Sequence, residues 1–151
     1  MMIPMVEPID YDEIKKTFAP ILEEIPKLLH KLKFCLKSEL SQFDHNFSRT
    51  HTEQQYIRQI MQFVQKKWTL DIAYLLLVHN QLFFNQLKDL LPKISNNILS
   101  QRLKELEKEN LIIRSEIGEV PPIRISYQLT LFGQNFILLL IPSFLYYLIW
   151  K

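Results

Sequence analysis

The sequence of 151 residues contains only two glycines, Gly118 and Gly133, and one cysteine, Cys35. Because glycine is the residue that most readily adopts positive φ, this scarcity disfavours a fold with many tight turns and favours long helices. A single cysteine excludes an intrachain disulfide and argues against a cysteine-based metal site. The first thirteen residues carry acids and prolines where a secretion signal needs a basic segment and an apolar run. We therefore expect a helical protein of the reducing cytoplasm.

Motifs for catalysis are also missing from the sequence. It has no glycine-rich phosphate loop, no nucleophile elbow and no evident carboxylate pair. The four histidines, His30, His45, His51 and His79, show no metal-ligand spacing with one another or with Cys35. We expect no catalytic residues, no metal and no cofactor, and hence a protein that is not an enzyme. The net charge of +2 is too small to indicate a nucleic-acid partner by itself.

The N-terminal third contains a long amphipathic stripe with apolar residues three or four positions apart. Its members are Ile21, Ile25, Leu28, Leu32, Leu36, Leu40, Phe43 and Phe47. This spacing predicts a helix from about Pro20 or Pro26 to Phe47, in which Pro26 either kinks the helix or begins it. A short helix is predicted over 11–19. The polar residues 48–52 are expected to interrupt the helix, and Thr52 to cap the next one.

The central region alternates apolar stripes with turn signals. The stripes predict helices over 56–64, 68–80 and 85–91, and a strong helix from Ser95 that Asn110 ends. After that helix, the β-prone runs 111–114 and 123–127 flank a Gly/Pro segment, which predicts a hairpin. A last helix begins near Thr130. This order, with a short turn at 91–94, is typical of a winged helix-turn-helix.

Four segments of this region resemble the HxlR-type (MarR-like) transcriptional regulators. Residues 67–70 (KWTL) resemble the family's GKWTL, and residues 84–88 (FNQLK) resemble RFNELK. Residues 94–107 resemble the recognition helix ISxKxLTxxLKELE. Residues 119–133 resemble the wing EVPPxVEYxLTxxG. The resemblance covers about 55–135, whereas the N-terminal 50 residues lie outside it. It implies a mainly α fold with a small β-hairpin, a winged helix-turn-helix with long terminal dimerisation helices.

The helix that begins at Ser95 is the predicted recognition helix. With Leu99, Leu103 and Leu106 directed inward, its outward polar side chains could contact base edges in the major groove. The predicted DNA-binding residues are Lys93, Ser95, Asn96, Asn97, Ser100, Gln101, Lys104 and, in the wing, Arg124. From residue types alone, each could instead belong to an ordinary solvated surface, and Ser95 could be a simple helix cap.

The C-terminal segment has no charged residue between Arg124 and Lys151, and residues 136–150 are almost wholly apolar. A small winged helix cannot cover this surface, so we expect it to form a homodimer interface together with the N-terminal stripe. The predicted interface residues are Leu28, Leu32, Leu36, Leu40, Phe43, Phe136, Leu139, Leu140, Phe144 and Tyr147. A membrane helix is less favoured but not excluded, because it needs about 20 apolar residues and this run, with Pro142 inside it, has 15.

The sequence thus predicts three regions: 1–50 and 131–151 for dimerisation, and 51–130 for DNA binding. The predicted function is sequence-specific binding of double-stranded DNA by a homodimeric transcriptional regulator, at a pseudo-palindromic site. Two alternatives stay open. The winged helix could serve as a protein-interaction module, or the apolar C-terminal segment could tether the regulator to a membrane.

Overall fold

The structure, a computed structural model, describes residues 10–42, 47–118 and 123–150; at 11, 39–42, 47–50, 149 and 150 it describes the backbone alone. The helices are α1 (Tyr11–Thr17), α2 (Ala19–Gln42), α3 (Phe47–Val64), α4 (Thr69–His79), α5 (Phe84–Leu90), α6 (Asn96–Lys108) and α7 (Leu131–Trp150). The strands are β1 (Gln81–Phe83), β2 (Ile112–Ile117) and β3 (Arg124–Leu129). The fold is mainly α with a small antiparallel sheet, as the sequence predicts.

The chain divides into two compact units. Asn46–Leu138 forms the first, here called the winged unit. Met1–His45 and Leu139–Lys151 form the second, here called the terminal unit. Helix α7 passes from one unit into the other. The functional boundaries expected at residues 50 and 130 stay a prediction.

The sheet of the winged unit has three strands in the order β1-β3-β2, all antiparallel. Strand β2 pairs with β3 along its whole length, from Ile112 opposite Leu129 to Ile117 opposite Arg124. This pairing is the predicted hairpin. Strand β1, which places Leu82 opposite Tyr127, was not predicted. Three residues are too short a run to show the alternation by which strands are recognised.

One cluster of buried side chains forms the core of the winged unit. It comprises Ile72, Leu76, Leu82, Leu87, Leu91, Ile94, Leu99, Leu103, Leu106, Leu111, Ile112, Tyr127 and Leu129. Helices α4, α5 and α6 and all three strands contribute to it. The aliphatic stripes that predict these helices are therefore the faces by which they pack on the sheet.

The junction between the sheet and α7 depends on close backbone packing. Asn110 ends α6 with φ of 60°, as its position in the sequence predicts. The Thr130 hydroxyl donates to the Asn110 carbonyl at 2.7 Å and accepts from the Gly133 N–H at 2.8 Å. A Cβ at Gly133 would lie 2.0 Å from the Leu111 carbonyl oxygen. Only glycine lets α7 approach Leu111 this closely.

The terminal unit contains α1, α2 and the end of α7. Asp10 caps α1 by accepting hydrogen bonds from the N–H groups of Asp12 and Glu13, at 2.9 and 3.2 Å. Pro26 lies inside α2 and does not begin it. Ile25 is buried, whereas Leu28, Leu32 and Leu36 of the predicted stripe are exposed. Much of the apolar surface of α2 is therefore in contact with solvent.

The predicted boundary between the second and third helices is wrong. Helix α2 is described as far as Gln42, and α3, described from Phe47 onward, is helical through the expected break at 48–52. Thr52 therefore lies inside a helix and is not an N-cap. Serine and threonine lower helix propensity by less than about 1 kcal/mol each, which an exposed helix tolerates.

Helix α7 is one continuous helix with Pro142 inside it, as the single apolar C-terminal helix of the sequence prediction requires. Residues Leu131–Leu148 have a mean hydropathy of 1.5, and 17% of them are buried. By length and composition, this helix could cross a membrane.

Candidate nucleic-acid interface

The turn between α5 and α6 is fixed by burial on one side and by a cap on the other. Leu91 and Ile94, which flank Pro92 in the turn, are both buried in the core of the winged unit. Ser95 follows with an extended backbone, and its hydroxyl oxygen accepts a hydrogen bond from the Ile98 N–H at 3.3 Å. This is the N-cap that the sequence predicts, and it sets where α6 begins.

Lys88 adds a further link across this turn that the sequence did not reveal. Its ammonium group donates to the main-chain carbonyls of Pro92 and Ile94, six residues away at most. These carbonyls belong to the turn that follows α5, outside the helical hydrogen-bond pattern. The turn that holds α5 and α6 at a fixed angle is thus bonded by a side chain as well as packed. Nothing in the spacing of a lysine along the sequence indicates such a bond.

Helix α6 presents two faces of opposite character. Leu99, Leu103 and Leu106 are at most 2% exposed. On the other side, Asn96, Asn97, Gln101 and Lys104 are exposed and Ser100 is half-buried. The structure therefore places the predicted polar residues on the solvent side of α6. Four of them share one shallow groove with two further residues: Asn97, Ser100, Gln101, Lys104, Glu105 and Lys108.

Glu105 is the centre of an ionic cluster on this face. Its carboxylate accepts from Arg102 at 2.7 Å and lies 3.2 Å from the Lys66 ammonium. The Arg102 Nε–H also donates to the Lys67 carbonyl at 3.0 Å. Partial burial disfavours the charged carboxylate, but the hydrogen bonds and charges of Lys66 and Arg102 together favour it, so the pKa of Glu105 lies below its ordinary value. The cluster bonds α6 to the segment before α4.

The segment before α4 also contains the tryptophan of the KWTL motif. Trp68 has φ of 76° and packs partly buried against the core, and the Lys67 ammonium lies 5.1 Å from its ring centroid. Trp68 therefore contributes to the packing of the winged unit. Lys66 and Lys67 are therefore both held by contacts within the protein.

Arg124 lies apart from the residues of α6. It is exposed at the start of β3, where its guanidinium is 5.9 Å from the Phe83 ring centroid. It lines a depression with Asn85 and Gln86 at the start of α5. The predicted wing segment 119–122 lies outside the described residues. Lys93 is exposed in the turn before Ser95. The structure therefore groups the predicted residues of α6 but places Arg124 with a different set of polar side chains.

The predicted dimer residues differ in exposure. Among those of the terminal unit, Leu28, Leu32, Leu36, Leu139, Phe144 and Tyr147 are each at least half exposed. Leu140 is half-buried. Phe136, in the winged unit, packs against its core with its ring centroid 6.1 Å from that of Phe132. The side chain of Leu40 and all of Phe43 lie outside the described residues.

Two helices joined by a short turn, with the second helix facing solvent and a hairpin beside them, define a winged helix-turn-helix. Comparison with known proteins identifies the family. Residues 63–142 match the model of the HxlR-like helix-turn-helix family, which is more than half of the chain. The protein belongs to this family of transcriptional regulators.

Individual relatives agree with this assignment. The uncharacterized HTH-type transcriptional regulator YvaP of Bacillus subtilis (strain 168) is 42% identical over 67 residues, which are 44% of this chain and 60% of YvaP. The matched segments span 56% to 62% of the first three curated relatives.

Two solved structures share the fold. One is a regulator described as of the MarR family from Porphyromonas gingivalis W83, with 33% identity and a TM-score of 0.51, covering 58% of this chain and 83% of that one. The other, similarly described, is from Enterococcus faecalis V583, with 26% identity and a TM-score of 0.54, covering 62% and 83%.

Proposed function

We propose that this protein is a homodimeric transcriptional regulator that binds double-stranded DNA sequence-specifically, with α6 in the major groove. The observation that carries this proposal is the exposed polar groove on α6. Helix α6 begins directly after the turn, where Ser95 is its N-cap. A helix of 13 residues with its aliphatic side buried and its first turns exposed has the geometry of a recognition helix.

The chemistry of this groove suits base recognition. Asn97 and Gln101 each carry an amide that can form two hydrogen bonds with adenine, and Ser100 can bond to several bases. Lys93 and Lys104 would supply charge toward phosphates, together with the N–H groups of the first turn of α6. In the wing, Arg124 would contact the backbone or the minor groove. The ionic cluster satisfies Lys66 and Arg102 internally, so fewer cations are left for phosphate contacts.

The homodimer would be formed by the apolar surfaces of α2 and α7. A monomer that exposes Leu32, Leu36 and Leu139 together with other apolar residues has a surface typical of an interface. A two-fold axis would place two copies of α6 on successive major grooves, about 34 Å apart. We therefore expect an inverted-repeat site. As part of the same proposal, the regulator acts in the cytoplasm.

The decisive experiment is selection of bound sequences from random duplexes by the purified full chain. The parent should enrich an inverted repeat, and the Asn97→Ala, Gln101→Ala double variant should lose the preference while retaining general affinity. A matched control replaces the exposed Gln134 and Asn135 of α7 by alanine. If the double variant selects the parental site, α6 is not the reading helix. Absence of both enrichment and salt-dependent binding in the parent would favour a protein-interaction module.

A second measurement separates phosphate contacts from base contacts. Replacing Lys93 or Arg124 by alanine should weaken binding to all duplexes and reduce the salt slope by about one for each phosphate that the variant no longer neutralises. Lys37→Ala, at an exposed lysine of α2, removes the same charge in the other unit and serves as the control. An equal loss of affinity in all three variants would mean that net charge, not these positions, determines affinity.

One observation favours a different role for the C-terminal helix. Because α7 is apolar enough to span a membrane, it could tether the regulator to lipid instead of joining two copies. Flotation of the full chain with liposomes distinguishes the two roles. Recovery with the vesicles would support the tether, whereas a lipid-independent dimer in solution would support the proposed interface.

A further inference from the structure

Gln101 is bonded on α6 by the same carboxylate that holds the ionic cluster. Its side-chain Nε2–H donates to Glu105 Oε1 at 3.2 Å, across one helical turn. The second carboxylate oxygen, Oε2, bonds to Arg102 and pairs with Lys66. Because each oxygen has its own partners, the cluster fixes the position of Oε1. Gln101 is thereby joined through Glu105 and Arg102 to the Lys67 carbonyl.

A carboxylate can accept hydrogen bonds but cannot donate them. The amide of Gln101 must therefore turn its NH₂ group, and not its oxygen, toward Glu105. One N–H is used in this bond, which leaves one N–H donor and the carbonyl acceptor. Adenine requires this pair of groups, since its N7 accepts a hydrogen bond and its N6 amino group donates one. The bond to Glu105 thus determines the positions of the remaining N–H donor and the carbonyl acceptor of the Gln101 amide.

We propose that Glu105 is a positioning residue that orients the Gln101 amide and so makes the protein select adenine at the base pair that Gln101 reads. This inference rests on the proposed function, because it requires α6 to lie in the major groove. An amide without such a partner can rotate by half a turn and exchange its donor and acceptor. An amide held in one orientation presents its donor and acceptor in the same order each time. Binding groups are more selective when neighbouring hydrogen bonds hold them in place in this way. The low pKa of Glu105 keeps the carboxylate ionised at neutral pH.

The test is Glu105→Gln, which retains a hydrogen-bonding side chain of the same shape but accepts either orientation of the Gln101 amide. Gln101→Ala first identifies the base pair that depends on Gln101. At that pair, Glu105→Gln should lower the discrimination for adenine by at least about fivefold, since the bidentate contact supplies the discrimination against other bases. The preference at pairs that depend on Asn97 should stay as in the parent. In the Gln101→Ala background, Glu105→Gln should have no further effect on discrimination.

The control is Glu107→Gln, which removes the same charge from an exposed position of the same helix. Both variants should bind all duplexes somewhat more tightly, and only Glu105→Gln should change the base preference. Equal preference in parent and Glu105→Gln would overturn the inference while leaving the proposed function intact. A change that persists in the Gln101→Ala background would overturn it too, since it would mean that Glu105 contacts a base itself, as carboxylates do with cytosine.

A measurement without DNA tests the inference independently of the proposed function. The side-chain NH₂ of Gln101 should show restricted motion in nuclear spin relaxation in the parent and in Glu107→Gln, and greater motion in Glu105→Gln. Free motion in the parent would overturn the inference. Absence of any selected DNA sequence, with Gln101 restricted, would count against the proposed function and not against the bond.

Discussion

The winged unit and the terminal unit both contain amphipathic helices but bury their apolar residues to different degrees. In the winged unit, the leucines of α6 belong to a core cluster with side chains of the sheet and of two other helices, and they are almost completely buried. In the terminal unit, Leu28, Leu32 and Leu36 are spaced as regularly, yet each is at least 50% exposed. The same helical period therefore predicts that an apolar face exists in both units. It does not predict whether other elements of the same chain cover that face.

The strongest test of this difference removes a leucine from the buried set. Leu99→Ala should lower the free energy of unfolding by about 2–5 kcal/mol, because Leu99 is fully buried and the cavity cannot be filled by solvent. Urea denaturation followed by circular dichroism measures this change. Leu90→Ala, at a leucine of α5 that is 44% exposed, should cost less than about 1 kcal/mol. Similar losses of unfolding free energy at both positions would mean that burial in the core does not determine the contribution of these leucines to stability.

The next effect concerns the contact that positions α7 in the winged unit. Gly133→Ala should destabilise the fold by about 1–3 kcal/mol, because the added methyl group would clash with the Leu111 carbonyl. Thermal unfolding should show a lower midpoint. Asn135→Ala, at an exposed position of the same helix, should leave the midpoint nearly unchanged. A Gly133→Ala variant as stable as the parent would show that α7 can move away from Leu111 without cost.

A smaller effect is expected on the exposed face of the terminal unit. Leu32→Ser with Leu36→Ser should weaken dimerisation at least about tenfold, or 1.4 kcal/mol, since buried leucine side chains stabilise an interface. Sedimentation equilibrium across a dilution series measures the dimer dissociation constant. The control is Lys33→Ser with Lys37→Ser, at exposed lysines of α2 outside the leucine stripe. A parent that is monomeric at all concentrations would contradict the proposed interface.

The weakest effect concerns the ionic cluster around Glu105. Because the folded-state pKa of this carboxyl is lowered, its stabilisation is complete above the pKa of the unfolded chain and is lost as the pH falls through the folded-state pKa. At pH 7, Glu105→Gln should cost about 1 kcal/mol or less, because the cluster is partly exposed to solvent. Urea titrations should show this difference at pH 7 and its decline as the medium is acidified. A cost that stays the same in acid would exclude an electrostatic origin.

Predictions from the sequence were most successful where a local signal and a packing signal agreed. Ser95 begins α6 and Asn110 ends it, and the leucines between them are buried as their spacing predicts. The break expected at 48–52 is wrong, because a run of polar residues signals a turn in many sequences, whereas these residues lie in a helix. The three-residue strand β1 was missed because its pairing partner, β3, lies more than forty residues later in the chain.

Reading the chain in order was enough to establish the class of the fold, the capped start of the recognition helix and the family resemblance. These properties depend on short-range preferences and on motifs that follow one another along the sequence. Folding in three dimensions was needed to reveal that Lys88 bonds to the turn, that Gly133 meets the Leu111 carbonyl and that Lys66 and Arg102 converge on Glu105. These contacts depend on directions and distances between side chains and backbone atoms that packing brings together, and no periodic pattern in the sequence specifies them.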